Sequence, residues 1–168
     1  MKTIIQSYKN LLCQIAVLVL GATMLAGCGE GSEKADLLKI TAVFYEAGVN
    51  EKVQEEYQQK LKNVKTEAEA KQVIGEMVGL LEKTPAKLEG LNLSTEAGKS
   101  LRDKLAKGFR GVVESTKELT ALDMKTDMDK AMAAQTKLLQ AQKDLLDAQN
   151  EFIELAKKHG VDLEKMKK

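Results

Sequence analysis

Apolar positions recur along this chain in long stretches at helical spacing, separated by short polar breaks. Four such stretches follow an apolar leading block. The first runs from Glu33 to Val64, with Ser32 as its N-cap. Counted at about 100° per residue, Leu37, Ile40, Thr41, Phe44 and Gly48 share one face, while Val53, Tyr57, Leu61 and Val64 fall roughly opposite. The phase jumps at Gly48-Val49-Asn50, which predicts a kinked or broken helix there. The second stretch opens at Thr66, whose spacing to Glu69 is that of a capping box. Its apolar side is Val73, Ile74, Met77, Val78, Leu80 and Leu81. Pro85 disfavours helix in the residue before it, so Thr84-Pro85 reads as the N-cap and first position of a short helical turn. Leu88, Leu91 and Leu93 would pack that turn down.

The third stretch runs from about Thr95 to Leu122, with Leu101, Leu105, Phe109, Val112, Thr116 and Leu119 as its stripe. The fourth begins after Thr126, where Thr126 and Asp129 again have capping-box spacing, and ends near Lys158 with Gly160 beyond it as the C′ residue. Short connections between long helices give antiparallel neighbours. The expected fold is therefore all-α: an antiparallel up-down bundle of about four helices, the first kinked or broken near Gly48-Asn50. No glycine- or proline-rich linker divides residues 33–168, so they form one domain.

The fourth stretch carries the least ordinary pattern. Gln135, Gln142 and Gln149 recur every seven residues. By the same angular count they fall in the middle of the stripe formed by Leu138, Leu139, Leu145, Leu146, Phe152 and Ile153. A buried amide without partners costs about 1–3 kcal/mol. Either these amides find partners across the bundle, with Thr116, Ser115 and Thr41 as candidates, or that side faces a groove. The first arrangement would specify register, as single polar residues do in coiled coils. The second would make a polar-lined cleft.

The leading block changes the picture. Lys2 and Lys9 give a positive start, and residues 11–25 are apolar apart from Gln14, Gly21 and Thr23. That run is shorter than the ~20 apolar residues a spanning helix needs, and its flanks suit a secretory leader. An uncleaved membrane anchor is the competing reading. The block ends in Leu25-Ala26-Gly27-Cys28, which resembles the lipobox of bacterial lipoproteins. The resemblance implies removal of residues 1–27 and attachment of a diacylglyceryl group, with palmitate-like chains, through the sulfur of Cys28. Residues 28–32 would then be a lipidated cysteine and a short tether. In the same class a residue other than Asp after the cysteine, here Gly29, implies the periplasmic side of an outer membrane in a Gram-negative host. Two acyl chains are what stable anchoring takes.

Composition narrows the chemistry. The chain has 168 residues, two cysteines, one histidine and a formal net charge of +1. A near-neutral surface of mixed sign gives no electrostatic case for nucleic acid. Cys13 leaves with the leader and Cys28 is used for lipid, so no internal disulfide or cysteine-held zinc is expected. The single His159 reads as a helix C-terminal residue beside Lys157 and Lys158, and it cannot supply the paired Glu-x-x-His motifs of a bundle metal site. Glu55-Glu56 and the pair Asp144 and Asp147 lie on polar faces. Gly75-x-x-x-Gly79 suggests close approach of a helix or a shallow place in the surface, since Lys71, Glu76 and Glu82 argue against a membrane-spanning role for it. Asn92-Leu93-Ser94 fits a glycosylation sequon by letter alone.

The expected protein is thus a non-enzymatic lipoprotein of the cell envelope, without cofactor or metal beyond its covalent lipid. It would be anchored to the membrane and act through contact with an envelope protein as accessory subunit, scaffold, immunity protein or inhibitor. The alternative is a small-ligand binding lipoprotein using a cleft in the bundle. Replacing Cys28 by Ser is expected to move the protein from the membrane to the soluble fraction with its helical circular dichroism intact. Continued sedimentation with membranes would instead identify the leader as a retained anchor.

Overall fold

A computed structural model describes residues 32–47, 51–123 and 126–160. Among them are six helices: α1 (Glu33–Glu46), α2 (Glu51–Asn63), α3 (Glu67–Leu81), α4 (Thr84–Glu89), α5 (Glu96–Ala121) and α6 (Met128–Lys158). The described residues contain no strand, and the fold is all-α as the periodicity implies. The leader with Cys13 and Cys28, and Gly48-Val49-Asn50, lie outside the described residues. The phase jump in the first stretch separates two helices that meet different neighbours. Helix α1 packs against α4, α5 and α6, whereas α2 packs against α3.

Local chemistry sets most helix starts. The Ser32 hydroxyl accepts from the Ala35 amide at 3.1 Å. Thr66 and Glu69 form the reciprocal capping box: the Glu69 amide donates to Thr66 Oγ1, and Glu69 Oε2 accepts from the Thr66 amide, both at 3.2 Å. Gly160 takes φ +65°, the left-handed C′ conformation that terminates α6.

Two expected caps are corrected. Thr84 lies inside α4, and Lys83 before it is already in the right-handed helical region with no side-chain capping bond. An N-cap needs an extended residue, and the tight passage from α3 to α4 leaves none, because Glu82 is helical too. The Thr84 hydroxyl is instead buried without a hydrogen-bond partner. Thr126 is not a cap either. Its amide donates to the Asp123 carbonyl in a turn, and Asp127 precedes α6. The Asp127 carboxylate reaches Lys130 and the Asp123 amide rather than the helix start.

Helices α5 and α6 form the largest contact of the fold. Their partners run in opposite order: Lys104 meets Glu151, Lys107 meets Asp144 and Glu118 meets Lys137, so the pair is antiparallel. Two glycines bring them close. A Cβ on Gly108 would lie 2.6 Å from Leu145 Cγ, and one on Gly111 would lie 2.8 Å from the Ala141 Cβ. Helix α4 and the end of α3 run against α5, through Arg110–Glu89 and Lys117–Glu82. Helix α1 runs along α5 in the same direction, with Asp36 beside Thr95 and Phe44 beside Phe109, their rings 5.5 Å apart.

Asp36 joins α1 to the start of α5. It is fully buried. Its carboxylate accepts from the Ser94 amide and hydroxyl at 3.1 Å, from the Thr95 amide at 2.8 Å and from the Thr95 hydroxyl at 2.7 Å. Thr95 Oγ1 also accepts from the Gly98 amide at 3.0 Å. One buried charge thereby satisfies donors at a helix N-terminus, where the helix dipole favours it. Gly98 leaves the space, since a Cβ there would lie 2.6 Å from Asp36 Oδ2. Burial pushes the Asp36 carboxyl up, but the bonds from Thr95 and Ser94 outweigh it and hold the pKa below its ordinary 3.8.

Asp36→Ala is expected to lower the unfolding free energy by about 3 kcal/mol at pH 7 in urea titrations, because buried donors lose their acceptor. Asp36 is a stronger acid folded than unfolded, so its contribution is complete at pH values well above 3.8. It fades as pH falls through the lowered folded value. The gap between wild type and variant should therefore close on acidification and stay constant at higher pH.

Candidate functional site

Helix α6 carries two parallel apolar seams. One faces the bundle: Ala131, Ala134, Leu138, Ala141, Leu145 and Ala148 are buried. Leu145 fills the space left by Gly108 of α5, and Ala141 that left by Gly111. The second seam lies about 100° around the helix and faces outward. Met132, Leu139 and Leu146 are 62%, 55% and 49% exposed, and Ile153 is partly buried. Met128 is exposed at the start of the same face. The stripe expected from the sequence as one buried face is therefore two. Leu138 and Leu145 belong to the core, whereas Leu139 and Leu146 do not.

Gln135, Gln142 and Gln149 stand at the boundary between the seams. Gln135 is exposed, Gln142 is half-buried and Gln149 is buried. A seven-residue repeat drifts by about 20° per heptad on a straight α-helix. That drift turns each successive glutamine toward the core, and each successive member of the Met132, Leu139, Leu146 row with it. The three amides thus do not share one environment. Gln142 Oε1 is shielded from solvent yet has no hydrogen-bond partner. Thr116, a candidate partner for these amides, is fully buried and its hydroxyl is likewise unpaired. The outer seam is bordered on its open side by Thr136, Lys143 and Asn150, all exposed.

The remaining candidates are dispersed. His159 follows α6 and its Nε2 meets the Glu33 carboxylate, which Lys158 also reaches at 3.2 Å. These bonds, from His159 first and Lys158 second, hold the Glu33 carboxyl below its ordinary range. They join the first turn of α1 to the end of α6. Glu55 and Glu56 are exposed, and Asp144 is bound by Gln140 at 2.7 Å. Gly75 and Gly79 are exposed, with nothing within 4 Å of where a Cβ would stand, so this is a shallow place rather than a helix contact. Among the described residues no helix is long and apolar enough to cross a membrane.

Sequence reasoning placed the glutamines on the right helix but missed that Met132 and Met128 extend their row. The signal was available in the regular seven-residue spacing of Met132, Leu139, Leu146 and Ile153. It was masked by a neighbouring seam built of alanine, which a count of large apolar residues overlooks.

Comparison with known proteins adds one match. A family model described as Uncharacterised lipoprotein PM1805 matches residues 34–159. That region begins after Cys28, so the match is independent of the leader. No curated protein and no solved structure matches.

The two seams differ in what they do for stability. Leu145→Ala is expected to cost about 2–5 kcal/mol. Leu139→Ser and Leu146→Ser should each stay within about 0.5 kcal/mol of wild type. Urea unfolding of the three variants measures this. A large loss from either serine variant would place that leucine in the core.

Proposed function

Because the chain belongs to the lipoprotein family described as Uncharacterised lipoprotein PM1805, we propose that it is a lipid-anchored, non-enzymatic protein of the cell envelope that works by binding another protein through the outer face of α6. Membership makes it an exported, membrane-anchored lipoprotein. Attachment through Cys28 and a place on the periplasmic side of an outer membrane extend that statement from the leader sequence. The observation that carries the binding role is the row of Met132, Leu139 and Leu146. Three large apolar side chains on one helix face are each about half exposed or more. Scattered exposed leucines are ordinary, but an aligned row marks an interaction surface.

The anchor sets the orientation. Ser32 caps α1 a few residues beyond Cys28, and Glu33 is tied to Lys158 and His159. The end of α6 and the start of α1 therefore sit nearest the bilayer. The α6 face rises away from it, open to the aqueous space. The lone histidine is engaged in this end contact, which supports a binding role over a catalytic one.

Site-specific photo-crosslinking in intact cells tests the proposal. A photoreactive residue in place of Leu139 is expected to trap a protein, whereas one in place of Ser100, exposed on α5, is not. Equal adducts at both positions, or none at Leu139, would overturn the assignment of the face.

A further inference from the structure

We draw no further inference here: the strongest candidate, the exposed apolar row of Met132, Leu139 and Leu146 on the outer face of α6, belongs to the face already described, and nothing in the structure shows what covers it.

Discussion

The contact on which the fold turns is the buried carboxylate of Asp36 against Ser94 and Thr95. Without it α1 would rest on its apolar contacts through Leu37, Ile40 and Val43 alone, and the start of α5 would have unpaired amides. A single charge answers both needs. It does so at the place where α4 ends and α5 begins, so it also sets where the chain turns. The direction of α1 follows from that anchor point together with Phe44 against Phe109 further along. Once α1 is placed, Glu33 comes within reach of Lys158 and His159, and the two ends of the domain meet.

The second constraint is the glycine surface of α5. A Cβ on Gly108 would collide with Leu145 and one on Gly111 with Ala141, so the two glycines admit both a leucine and an alanine of α6 close against α5. That seam buries Leu138 and Leu145 among its alanines, and Leu139 and Leu146, one position further round the helix, stay exposed.

Much of this was legible in advance, though unevenly. The boundaries at Ser32, the Thr66–Glu69 box and Gly160 have local causes, and local causes can be read from neighbouring letters. The break in the first stretch was visible as a change of phase. Which seam of α6 is buried was not, because alanine is a weak marker of burial until its partner on another helix is known. Asp36 was hidden for the same reason. An aspartate in the first turn of a helix looks solvated, and its donors lie 58 and 59 residues away. Thr84 and Thr126 were misplaced because capping letters say nothing of whether the preceding residue is free to extend.

The position of Asp36 has a mechanical consequence. In the proposed arrangement, a force between the bilayer and a bound partner would enter the domain at Ser32, whose carbonyl accepts from the Asp36 amide at 3.1 Å. Within one turn of that entry point the load reaches the cluster at Ser94 and Thr95, and passes into the longest helices of the fold. Because α1 and α5 lie side by side and point the same way, tension along the tether shears their contact rather than peeling it. Shear loads several bonds together. The Asp36 cluster would thus stand directly in the path of the proposed anchor's pull.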